Sequence, residues 1–196
     1  MLNHKDLIIN YNKQEILNVF QEYSIPANNW ADVTACTLEE IKKISSILNL
    51  PVPIRSILFF RMGKTFTGVI HKDLNMSDTK NIITYAVNLP LTTCANVYMR
   101  WFKQQHEFVE SLVFPGPSYG SPTPLLNNTD ATCIDEVCCD TSKIVKIDDW
   151  HSIENHSTDS FEYLISIRFA FHIEPSMDLS MNEWLPNVGS NHGPTD

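Results

Sequence analysis

The alternation of apolar and polar positions is strongest near the C-terminus. Phe161, Tyr163, Ile165, Ile167, Phe169 and Phe171 fall on one side, and Glu162, Leu164, Ser166, Arg168, Ala170 and His172 on the other. A period of two over that length predicts a β-strand with one face in an apolar core and the other lining a more polar cavity. Other β-rich runs precede it at 54–62, at 65–71 after a Gly63-Lys64 turn, and at 81–89, 95–102 and 143–149. The first fifty residues read differently. Ile16, Leu17 and Phe20 recur at helical spacing, and Thr37 with Glu40 forms a capping-box signature ahead of Ile41, Ile44, Ile47 and Leu48. Two short helices buttressing a sheet are expected.

These patterns divide the chain into a helical N-terminal buttress (1–53), a β core (54–175) and a C-terminal tail (176–196), within one domain. A length of 196 residues suffices for one hydrophobic core. The core pattern is interrupted at about 114–142 by Pro115, Gly116, Pro117, Gly120, Pro122 and Pro124, followed by polar residues and three cysteines. So long an unpatterned stretch reads as either a lid or a surface insertion.

Charge narrows the partners. Fourteen Lys+Arg against 23 Asp+Glu give a net charge of −9, which repels phosphate backbones, and no local basic cluster offsets it. Nucleic acid is therefore disfavoured as a partner, and a small molecule, peptide or protein is favoured. The opening Met1-Leu-Asn-His-Lys-Asp lacks the basic and apolar regions of a signal peptide, and no apolar run reaches about 20 residues. A soluble, cytoplasmic protein without a membrane role is expected; the sequence carries no signal for oligomeric state. The five cysteines are odd in number and irregularly spaced. Cys133, Cys138 and Cys139 lack the paired knuckles of structural zinc and read as free thiols.

The candidate chemistry starts at His71 and Asp73. Residues two apart on a strand project from one face, so an imidazole and a carboxylate can meet at one point as adjacent ligands of a divalent transition metal. A second histidine would complete a two-histidine, one-carboxylate set. His151, just before the last strong strand, is preferred to His156 in the following polar turn.

His71-Lys-Asp73, then Tyr85-Ala-Val-Asn88-Leu-Pro90, then Trp150-His151-Ser-Ile-Glu-Asn155, then Ile165-Ser-Ile-Arg168-Phe169 together resemble the 2-oxoglutarate- and Fe(II)-dependent oxygenase superfamily, over about residues 54–172. The resemblance implies a double-stranded β-helix, a jelly-roll or cupin-like barrel, with Fe(II) held by His71, Asp73 and His151. It implies a dioxygenase that uses 2-oxoglutarate as co-substrate, hydroxylates a protein side chain, peptide or small molecule, and releases succinate and CO2. Arg168 would anchor the far carboxylate of 2-oxoglutarate, with Ser166, Tyr85 and Tyr98 as further donors and Arg61 and Arg100 in reserve. Asn88, Asn155 and Arg100 would support the cavity. Many members carry a basic residue some ten positions after the distal histidine, where this chain has Phe161-Glu162. The alternative from another class is a non-catalytic jelly-roll module that binds a metal or ligand.

Overall fold

The computed structural model describes residues 3–20, 31–49, 54–73, 85–104, 112–115, 122–126, 129 and 131–169. In chain order the elements are β1 (His4–Asp6), α1 (Lys13–Val19), β2 (Ala31–Ala35), α2 (Leu38–Ile47), β3 (Ile54–Met62), β4 (Phe66–Thr67), β5 (Ile70–His71), β6 (Tyr85–Pro90), β7 (Val97–Gln104), β8 (Leu112–Pro115), β9 (Pro122–Leu126), β10 (Ala131–Cys138), β11 (Lys143–Lys146), β12 (His151–Asn155) and β13 (Glu162–Phe169). The strands form two antiparallel sheets. One runs β1-β11-β6-β13-β3-β2; the other runs β10-β7-β12-β5-β9-β8, with β4 also on β12. The protein is mainly β, and two such facing sheets fit a sandwich of jelly-roll type.

Two apolar layers hold the sheets in place. Between them lie Met62, Ala86, Val145 and Leu164 from the first sheet against Val97, Met99, Trp101 and Ile153 from the second. On the outer face of the first sheet, Ile57, Phe59, Val87, Leu89, Ile165 and Ile167 pack under Ile16, Phe20, Ile44 and Leu48 of the helical segments. Strand β13 therefore sends its odd-numbered residues to the helices and its even-numbered residues into the sandwich, the division its alternation predicts. Helix α2 starts where expected, with both arms of the Thr37–Glu40 capping box formed.

Three expectations need correction. The runs at 54–62 and 65–71 are not partners across a turn: β3 pairs with β13 and β2, whereas β4 and β5 cross into the other sheet and pair with β12. The N-terminal segment is not only helical, because β1 and β2 extend the first sheet along β11 and β3. The stretch at 114–142 is not an irregular lid throughout. It contributes β9 and the eight-residue edge strand β10, which pairs with β7. Because β10 is an edge strand with Cys133 and Ile134 exposed, it has no buried apolar face to announce it. The expected tail at 176–196, like 170–175 before it, lies outside the described residues.

Candidate metal centre

The site sits where β5 meets β12. His71 and His151 are direct cross-strand partners, and their rings lie 4.4 Å apart at 50°. Asp73 follows β5, and its backbone N–H donates to the Ile147 carbonyl (2.9 Å), which holds the turn against the strand leading to His151. Candidate ligand atoms of His71, Asp73 and His151 lie within 4.8 Å of one another. Among the described residues this is the one cluster of three or more histidine, cysteine or carboxylate groups so placed.

The hydrogen bonds around the cluster prepare each group to bind. His71 Nδ1 lies 3.0 Å from the Val69 carbonyl, and His151 Nδ1 lies 2.8 Å from the Asp149 carbonyl. A carbonyl only accepts, so each Nδ1 carries the proton and each neutral ring keeps its Nε2 lone pair for a ligand. Asp73 is split. Its Oδ2 accepts from Arg168 Nη2, while Oδ1 is buried without a hydrogen-bond partner and stands 3.5 Å from His71 Nε2. Two imidazole nitrogens and one orphaned carboxylate oxygen fit a divalent transition metal such as Fe(II) or Zn(II).

The electrostatics suit the same role. Burial raises the Asp73 carboxyl, but the Arg168 charge and the nearby His71 ring overcome it and hold the group ionised, well below the ordinary carboxylate range. Burial disfavours a charged His71, yet its closeness to the Asp73 carboxylate and to the Val69 carbonyl leaves its pKa raised. Burial, then the neighbouring His71, lower His151 to about 4, so that imidazole is neutral.

Inward of the cluster is a recess with about 30 Å³ of space open to water, lined by Phe60, Asn88, Met99, Ile153, Ser166 and Arg168. Of the expected 2-oxoglutarate contacts, Ser166 and Arg168 are there. Arg168, expected as the anchor for a co-substrate carboxylate, pairs with Asp73. Tyr85 does not reach the site: it belongs to the apolar layer under the helices, on the opposite face from Asn88. Tyr98 packs on His156 (5.2 Å between ring centres), and Arg100 binds Glu136 (2.5 Å) and Glu154 (2.9 Å). Both belong to the even-numbered face of β7, opposite Met99 and Trp101 in the sandwich. His156 contacts Glu154 (2.7 Å), also away from the cluster. The reserve Arg61 pairs with Asp32 and lies over Phe59, on the helix side.

Asn155 serves a turn: its side chain donates to the carbonyls of Gly63 and Ser160 and accepts from Ser157 N–H. Glu162, at the position where many members of the resembled superfamily carry a basic residue, accepts hydrogen bonds from Thr92, Thr93, Ser160 and the Cys94 N–H. Lys72 and Trp150 were not singled out by the sequence reading. Lys72 Nζ lies 4.9 Å from the Trp150 ring, joining the segments that carry the ligands. Their signal was adjacency to His71, Asp73 and His151.

No protein family and no curated protein matches the sequence. Among solved structures, vicilin from hazelnut, Corylus avellana, is 6% identical, covering 77% of this chain and 32% of its own at a TM-score of 0.37. The chain thus spans about a third of that protein's length. The viral collagen prolyl hydroxylase of Paramecium Bursaria Chlorella virus-1, solved as a 2OG complex, is 12% identical, covering 86% and 97% at a TM-score of 0.31. Similarity at these levels carries no argument about function, which rests on the cluster itself. No helix among the described residues is long and apolar enough to cross a membrane.

Proposed function

We propose that the protein is an Fe(II)- and 2-oxoglutarate-dependent dioxygenase on a double-stranded β-helix, hydroxylating a small molecule, peptide or protein side chain. The observation that carries this reading is the convergence of His71, Asp73 Oδ1 and His151, with both imidazoles turned Nε2-inward by backbone carbonyls. Such a ligand set occupies one face of an ion and leaves positions for other ligands, the arrangement used by non-haem Fe(II) oxygenases. With Fe(II) and 2-oxoglutarate held there, O2 would be the oxidant: one oxygen atom would enter the hydroxylated substrate and the other the succinate formed as 2-oxoglutarate loses CO2. The chain's own residues would do the positioning. Arg168 fixes Asp73, the Val69 and Asp149 carbonyls fix the two rings, and the apolar lining limits water.

Anaerobic Fe(II) titration, followed by measurement of succinate release from 2-oxoglutarate once O2 is admitted, tests this reading. One equivalent of tightly held iron, lost in His71→Ala, together with succinate release is the expected result. Absence of iron binding by the wild-type protein would overturn it.

A second reading has its own observation. With Arg168 committed to Asp73, and Glu162 where a basic residue is common, a metal-binding module without turnover is favoured if iron binds and no succinate forms.

A further inference from the structure

Strands β4 and β5 both pair with β12, yet the register of one does not run on into the other. Phe66 and Thr67 stand opposite Asn155 and Glu154, and His71 stands opposite His151. Gly68, Val69 and Ile70 therefore face only Ile153 and Ser152 across the ladder, which makes a β-bulge of one extra residue. Gly68 presses on β12: its N–H donates to the Ile153 carbonyl at 3.1 Å, and a Cβ there would lie 2.3 Å from the same oxygen. Ile70 is buried and pairs with Leu126 of β9. The residue left over is Val69. It is 62% exposed, so its side chain adds little to the core. Its carbonyl does reach the cluster, at 3.0 Å from His71 Nδ1.

We propose that Val69 is a positioning residue: the bulge turns its carbonyl out of the ladder to hold the His71 ring with Nε2 toward the metal. This rests on the metal reading above and names the device that presents one of its ligands. The register alone does not require the extra residue. A chain without Val69 would run from Phe66 to His71 as an unbroken strand, with Thr67 still opposite Glu154 and His71 still opposite His151. In that strand the carbonyl two residues before His71 would belong to Gly68, whose N–H already bonds Ile153. Residues paired in this way exchange both bonds, so β12 would take that carbonyl as well. His151 offers the comparison. Its Nδ1 lies 2.8 Å from the carbonyl of Asp149, also two residues before it, but Asp149 precedes β12. A histidine that opens a strand can use the carbonyl behind it. His71 continues a strand along the same neighbour, so the ladder has to be broken first.

The test uses the full chain loaded with Zn(II) and compares wild type, a variant with Val69 deleted, and Val69→Ala, which keeps the carbonyl. Zn(II) affinity is measured by competition with a chelator, and urea unfolding of the metal-free proteins establishes that each folds. NMR of isotope-labelled histidine side chains reports which ring nitrogen carries the proton and how fast that proton exchanges. Zinc-bound His71 of wild type should be protonated at Nδ1 and exchange slowly. Deletion should lower Zn(II) affinity roughly 10- to 100-fold, the usual effect of losing a partner behind a metal ligand, and speed exchange at His71 while His151 stays protected. Val69→Ala should match wild type in both readouts. Undiminished affinity and protection in the folded deletion variant would overturn the assignment and leave the metal site standing. So would zinc on His71 Nδ1 in wild type, or a loss in Val69→Ala equal to that of the deletion. If the deletion variant does not fold, the coupling across the hydrogen bond from His71 Nδ1 to the Val69 carbonyl carbon in wild type decides, and its absence overturns the assignment. A wild-type protein that takes up no Zn(II) would remove both readings.

Discussion

Arg168 holds Asp73 by one carboxylate oxygen and leaves the other turned toward His71. The two residues are 95 positions apart in the chain and are brought together by the return of β13 through the sandwich. A carboxylate pinned this way presents a single oxygen in a fixed direction, with the guanidinium keeping it ionised.

Arg168→Gln removes that pin. Breaking a buried ion pair costs about 3–5 kcal/mol, because the remaining charge is left uncompensated. Urea unfolding of the metal-free protein should show a loss of that order. Metal affinity should fall roughly 10- to 100-fold, the usual effect of removing a partner behind a metal ligand. Because the variant binds metal more weakly, the same concentration of added metal should raise its melting temperature less than that of wild type.

Gly68→Ala should damage the site from three residues away. Gly68 N–H donates to the Ile153 carbonyl (3.1 Å), and a Cβ at this position would collide with that same oxygen. The obstacle is backbone and cannot turn aside, so β4 and β5 must move off β12. We expect about 1–3 kcal/mol of destabilisation in urea titration, together with weakened metal binding.

Glu162 should make stability fall in acid. Burial raises its carboxyl, but hydrogen bonds from Thr92, Ser160, the Cys94 N–H and Thr93 more than compensate and hold its pKa below the ordinary 4.5. A folded-state pKa below the unfolded one gives stability that is fully present above about pH 4.5 and is lost as pH drops through the folded value. Glu162→Gln should cost about 1–3 kcal/mol near pH 7, and the gap from wild type should narrow steadily between pH 5 and 3. A gap independent of pH would contradict this account.

Thr37→Ala provides a contrast. It removes the side-chain arm of the α2 capping box, worth about 1 kcal/mol, at a helix that packs on the far face of the first sheet. Stability should drop by that amount, with metal affinity unchanged in the same titration that detects Arg168→Gln.

Local signals in the sequence were reliable where the responsible physics is local. The capping box needs only Thr37 and Glu40, and the faces of β13 follow from strict alternation, so both could be read directly. The three converging groups were legible because His71 and Asp73 share a strand end and a third ligand had to come from a distant strand. Long-range choices were not legible. Nothing near Arg168 indicates that Asp73, rather than a glutamate or a co-substrate, is its partner. The side taken by Tyr85 depends on which neighbours of β6 are apolar on each face, and it follows Val87 and Leu89 toward the helices. Strand β10 escaped notice because an exposed edge has no buried face to impose a pattern.

The direct pairing of His71 with His151 has one further consequence. Side chains alternate along a strand, so a slip of one residue between β5 and β12 would turn Trp150 or Ser152 toward His71 and send His151 to the opposite face. A slipped chain would keep nearly all its backbone hydrogen bonds and much of its core while losing the ability to chelate. The stoichiometry of bound metal in a purified sample is therefore a census of correctly threaded molecules, sensitive to a folding error that circular dichroism would pass over.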